Sequence, residues 1–160
     1  MPTLRIYRVV HRKYAHEPYS GKGGLFAAGR WHRRGRLVAY ASESLALATL
    51  EQLGRANTLE RLKQLVYVPA VLDASAVVAL REHELPEGWD RRPPDAASQA
   101  YGEEWLTRAT SVALRVPSVI LPEGYNYVIN PAHPDFEEAI QIGEAHPLQL
   151  DPRIAERFSG

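Results

Sequence analysis

The sequence contains no cysteine. That absence excludes disulfides, thiol nucleophiles and thiolate metal sites, and it agrees with a reducing cytosol. It also carries no net charge, with 19 Lys and Arg against 19 Asp and Glu. A nucleic-acid surface needs a basic excess, so no direct nucleic-acid partner is expected. No apolar run approaches the roughly 20 residues of a membrane span. Met1 to Val10 holds Arg5 and Arg8 where a signal peptide would have its apolar core. A soluble, cytoplasmic protein with no membrane partner is expected. The histidines, His11, His16, His32, His83, His133 and His146, show no close metal-ligand pair, so no metal site is expected. The Rossmann glycine fingerprint, the Walker spacing and Gly-x-Ser-x-Gly are all missing.

What is present is an ordinary globular composition: 160 residues, 45% hydrophobic and 24% charged. That suits one domain, residues 1–160, with a real core. The charge is uneven, since residues 1–36 hold nine Arg and Lys against one acid, Glu17. This cationic quarter either serves an anionic ligand or is solvated charge balanced by acids elsewhere.

Leu4 to Val10 reads as a strand, His11 to Gly29 as a long loop and Leu37 to Ala41 as a second strand. Ser42 or Ser44 caps a helix to about Gly54, and Asn57 a shorter one to about Leu62. Leu65 to Leu72 is a strand whose Pro69 predicts an edge or a bulge. His83 to Asp95 is a Pro-rich loop, followed by a helix to about Ala109 that Gly102 could break. Ala113 to Leu121, Tyr125 to Ile129 and Glu138 to Gly143 read as extended, and Pro152 to Phe158 as a terminal helix. Strands and helices interleave without a βαβ repeat, which predicts an α+β fold.

Four polar residues sit at the edges of apolar runs. Arg30 offers planar, permanent positive charge suited to phosphate, and Gly29 before it permits close backbone approach. The alternative is a surface arginine beside a core Trp31. Tyr40 ends a strand, where its ring could stack on a base and its hydroxyl bind a ligand, or where it is an ordinary strand aromatic. Glu51 lies seven residues after Ser44, on the same helix face, either at a pocket edge or in solvent. Ser118 has no general base at fixed spacing, so it reads as a ligand-binding or turn-forming hydroxyl. Gly21-Lys22-Gly23-Gly24 is phosphate-loop-like in composition alone.

Taken in order, Tyr7-Arg8-Val9-Val10, Ser20-Gly21, Gly29-Arg30-Trp31, Val38-Ala39-Tyr40-Ala41-Ser42 and Ala48-x-x-Glu51 resemble the N-terminal half of the RES-domain toxins of bacterial toxin–antitoxin modules. Gly102-Glu103-Glu104-Trp105-Leu106, Val116-Pro117-Ser118, Asn126-Tyr127-x-x-Asn130-Pro131 and His133-Pro134-Asp135 resemble the C-terminal half. The resemblance spans roughly residues 5 to 143. Ala28 and His32 depart from it, where Gly and Asn are usual.

The resemblance implies an ADP-ribosyltransferase-like fold of mixed sheets flanked by helices. It implies that NAD+ is consumed as a substrate, not recycled as a cofactor, by hydrolysis or phosphorolysis of the nicotinamide–ribose bond, so that NAD+ loss arrests growth. Transfer of ADP-ribose to a specific protein is the alternative, and a non-catalytic nucleotide sensor a second one. It implies Arg30, Glu51, Ser118 and Tyr40 as catalytic residues and Arg8, Gly29, Trp31 and Asn126 as substrate-binding ones. Glu51 would stabilise a cationic ribose, Arg30 and Arg8 would grip the diphosphate, Tyr40 would pack on nicotinamide or ribose, and Ser118 and Asn126 would bind the ligand or orient Arg30. A helix-turn-helix (Xre-type) antitoxin is the implied partner, with a dimer or a hetero-oligomer left open.

Overall fold

The computed structural model describes residues 2–55 and 58–158. The β-branched run near the start forms β1 (Thr3–His11), and the segment around Tyr40 forms β2 (Ala39–Ser42). Between them the loop tightens into short 3-10 turns at Arg12–Tyr14 and Lys22–Leu25. Of the two candidate caps, Ser44 is the one used: its Oγ accepts from the Leu47 N–H at 3.1 Å and starts α1 (Leu45–Leu53), which Gly54 closes. Ser42 belongs to β2 instead. Thr58 caps α2 (Leu59–Lys63), and Asn57 lies outside the described residues.

The long strand β3 (Leu65–Asp73) pairs with β1 along its whole length. Pro69 is tolerated because of what lies on its other side. There β3 meets β7 (Ile140–Ile142) at Ala70–Leu72 and β8 (His146–Pro147) at Val66–Tyr67, leaving Pro69 between the two. Its carbonyl, pointing the same way as its donorless nitrogen, accepts from the Gly143 N–H at 2.8 Å. Glu138–Ala139 is not extended as expected: it ends α4 (Phe136–Ala139), and the strand begins only at Ile140.

The remaining elements are β4 (Val77–Ala79), α3 (Ala96–Arg108), β5 (Ala113–Pro117), β6 (Tyr125–Ile129) and α5 (Pro152–Ala155). Gly102 does not break α3. A Cβ there would lie 1.6 Å from the Trp31 carbonyl oxygen, so glycine is what lets the helix press against that backbone.

The strands form one mixed sheet in the order β4-β5-β6-β2-β1-β3-β7, antiparallel except for β4–β5, with β8 also on β3. The α+β expectation holds. Period-2 alternation splits the core between the two faces. Ile6, Ala41, Val68, Tyr127 and Ile129 pack on one side. Trp31, Trp105, Leu114, Val116 and Val128 pack on the other. Among the described residues no helix is long and apolar enough to cross a membrane.

Candidate active site

Strand register assembles the site. Ser42 is opposite Asn126 across β2–β6, and Asn126 is opposite Val116 across β6–β5. Ser118 follows Val116 by two residues, so Ser42, Asn126 and Ser118 lie on one face. Helix α1 packs on β1 and β2 and carries Glu51 to that row. Glu51 Oε1 accepts from Ser118 Oγ at 2.6 Å and from Asn126 Nδ2 at 2.7 Å. Asn126 Oδ1 in turn accepts from Ser42 Oγ at 2.6 Å. Among the described residues, Glu51 Oε2 has no hydrogen-bonding partner.

Glu51 faces a cleft of about 800 Å³, also lined by Arg8, Arg30, Arg55 and Arg92. Small-molecule sites typically occupy roughly 300–1,000 Å³. Four guanidiniums against one carboxylate make the cleft a field for an anion. Arg30 Nη1 donates to the carbonyls of Trp89 at 2.9 Å and Arg91 at 2.8 Å. Burial lowers its basicity, and the negative charge of Glu51 opposes that shift. Arg8 donates from Nε to the Pro18 carbonyl and from Nη1 to the Tyr40 carbonyl at 2.7 Å. Burial brings its guanidinium down to about 10, so it stays charged at neutral pH. Arg92 donates from Nη2 to the Val119 carbonyl at 2.9 Å.

Arg30 and Glu51, drawn from separate segments, thus share one cleft with Arg8, Gly29, Trp31, Tyr40 and Asn126, whereas Ser118 is not among its lining residues. Other expected roles change. Ser118 is fully buried, and its Oγ accepts from the Ile120 and Leu121 N–H groups while donating to Glu51. It is a turn-forming residue that orients the carboxylate, and Asn126 likewise holds Glu51 and not Arg30.

Tyr40 lines the cleft, and its hydroxyl already has two protein partners. His32 Nε2 lies 2.8 Å from the Ala27 carbonyl, which can only accept, so Nε2 carries the proton. Nδ1 then accepts from the Tyr40 hydroxyl at 2.6 Å, and that oxygen accepts from the Trp31 N–H at 3.2 Å. Burial raises the Tyr40 phenol and lowers His32, keeping both neutral. Gly29 covers this pair: a Cβ there would lie 2.8 Å from the Tyr40 oxygen. The Trp31 ring is 2% exposed and stacks on Trp89 with centroids 6.3 Å apart, so it belongs to the core and not to a ligand platform.

The basic N-terminal quarter divides between both uses considered for it. Arg8 and Arg30 line the cleft, whereas Lys22 pairs with Glu17 at 2.8 Å and Arg36 lies 3.5 Å from Glu103. Sequence reasoning missed Ser42, Arg55 and Arg92. Arg55 stands four residues after Glu51, a spacing that could have drawn notice; nothing local marks the other two.

The RES domain model matches residues 5–151, and the chain belongs to the RES-domain family. It is 37% identical to the Prs ADP-ribosylating toxin of Sphingobium sp. (strain YBL2), covering 97% of this chain and 99% of that one. It is 28% identical to Toxin Res of Yersinia enterocolitica, covering 94% and 99%. With Toxin Res of Pseudomonas putida it shares 33% identity, covering 87% and 96%. The fold is similar to that of a chain in the crystal structure of the M. tuberculosis MbcT–MbcA toxin–antitoxin complex, with a TM-score of 0.71 at 17% identity over 98% of this chain and 89% of that one. The expectation of a RES-domain toxin is borne out by the family match and these relatives.

Proposed function

We propose that this toxin binds NAD+ in the arginine-lined cleft and breaks its nicotinamide–ribose bond. The observation that carries this reading is the state of Glu51. One carboxylate oxygen is held by two donors, while the other is uncommitted in a cleft that is otherwise cationic. A carboxylate so fixed is preorganised to stabilise positive charge in the transition state.

The diphosphate would lie against Arg30 and Arg8, with Arg55 and Arg92 adding to the field. The ribose hydroxyls would donate to Glu51 Oε2. As the C1′–N bond breaks, its electron pair passes to the ring nitrogen and nicotinamide leaves neutral. Positive charge then spreads over C1′ and the ring oxygen, as in glycoside cleavage. Water or phosphate attacks C1′, and hydrolysis releases the water's proton. Purified protein incubated with NAD+, with and without phosphate, is expected to release nicotinamide together with ADP-ribose or its 1-phosphate. Intact NAD+ in both incubations would refute the proposal.

A protein side chain as acceptor is the second reading, favoured by the name of the Sphingobium relative, an ADP-ribosylating toxin. Labelled NAD+ and cell lysate separate the two: label on a protein band marks transfer. An antitoxin partner of the helix-turn-helix (Xre) type is proposed as well, in keeping with the neighbouring toxin–antitoxin complex. Co-expression with the adjacent reading frame is expected to restore growth and yield a co-purifying complex.

A further inference from the structure

We infer that Ser42 is a positioning residue that anchors the Asn126 amide and, through it, leaves Glu51 Oε2 available to substrate. The inference rests on the reading of Glu51 given above. An ionised carboxylate can only accept hydrogen bonds. Asn126 lies 2.7 Å from Glu51 Oε1, so it must turn Nδ2 toward the carboxylate. The amide's other end, Oδ1, then faces Ser42 Oγ at 2.6 Å, and there the hydroxyl must donate. Direction runs one way along the chain: Ser42 to Asn126, Asn126 to Glu51.

Glu51 decides which end of the amide faces it, and Ser42 holds the other end in place. Ser42 Oγ is the partner recorded for Asn126 Oδ1. Ser42 is 3% exposed and lines the cleft beside Asn126. Without the donor, the amide oxygen loses its protein partner and the amide is held at the Glu51 end alone. A full flip is opposed, because it would aim Oδ1 at the carboxylate and leave Nδ2 without an acceptor; the amide tilts instead. Its grip on Glu51 Oε1 loosens, and the carboxylate loses its alignment with the ribose. Register explains why Ser42 can do this: it is directly opposite Asn126, at the last position of β2.

The test uses the full chain and compares wild type with Ser42→Ala, Ser42→Thr, Asn126→Ala and the double variant Ser42→Ala/Asn126→Ala. Removing Ser42 is expected to lower kcat for NAD+ cleavage by roughly tenfold to a hundredfold, the scale on which outer-shell partners of metal ligands act. KM stays within about twofold, since the arginines are untouched. Adding Ser42→Ala to Asn126→Ala costs nothing more, because both act through one path. Ser42→Thr keeps the donor and stays near wild type.

A second readout needs no turnover. In NMR spectra with labelled asparagine, the Asn126 side-chain amide is expected to be protected from exchange in wild type and Ser42→Thr, and shifted and unprotected in Ser42→Ala. Wild-type kcat in Ser42→Ala, full additivity in the double variant, or an unchanged Asn126 amide would each overturn the inference. If wild type leaves NAD+ intact, the NAD+ reading falls, and the amide spectra still decide the role of Ser42.

Discussion

The two walls of the cleft are built differently. On one, Glu51 is held by side chains: Ser118 and Asn126 grip it and Ser42 holds Asn126, all carried on regular elements or the turn after β5. The arginines are held by backbone carbonyls instead, Arg8 at Pro18 and Tyr40, Arg30 at Trp89 and Arg91, and Arg92 at Val119 next to Ser118, while Arg55 is exposed. A side-chain network fixes one atom in one place, as stabilising a brief charge requires. Arginines on carbonyl tethers keep spare donors and supply a field, which suits gripping an anion. The carboxylate wall is therefore assigned to rate, and the arginine wall to affinity.

The largest effect should come from breaking the first wall. Glu51→Gln is expected to cut kcat for nicotinamide release by about a hundredfold or more. Breaking the second should act differently. Arg30→Ala should raise KM with kcat little changed, a loss of about 1.5–3 kcal/mol visible in kcat/KM. A fall in kcat alone would erase the distinction. The footing of the arginine wall is tested by Gly102→Ala, whose Cβ meets the Trp31 carbonyl. It should cost about 1–3 kcal/mol in urea denaturation and weaken NAD+ binding by displacing the Arg30 loop.

Tyr40→Phe leaves the Trp31 N–H and His32 Nδ1 without their hydroxyl. A loss of about 1–2 kcal/mol of stability is expected in thermal melts. The smallest effect is a pH dependence. Burial holds His32 below its ordinary value of 6.5. Below pH 6.5 the unfolded chain therefore takes a proton that the folded chain refuses. Stability falls as the pH drops through that window and levels off once the folded His32 is protonated. Above 6.5 this group adds no slope. In the His32→Asn variant, which has no imidazole at that position, this part of the slope should vanish.

Much of this was legible from local signals. Ser42 or Ser44 with Gly54 bounded α1, and local chemistry left Arg30 and Glu51 as candidates that the family resemblance joined in one site. The failures share a physical cause. Ser42 and Ser44 look equally good as caps, and only strand register separates a cap from a residue facing Asn126. Gly102 looks like a helix breaker because propensity is local, whereas its reason is the Trp31 backbone, far away in sequence. The Tyr40 hydroxyl looks free because its partners, His32 and the Trp31 N–H, arrive by a loop that no periodicity describes.

The central claim is that Glu51 accelerates cleavage of a dinucleotide that the arginines hold. The most direct measurement is nicotinamide release from saturating NAD+ by wild type and by Glu51→Gln, with NAD+ binding to each measured by calorimetry. The account predicts comparable binding, rapid release by wild type and release at least about a hundredfold slower by the variant. Equal release by the two proteins, or no release by wild type that binds NAD+, would contradict it.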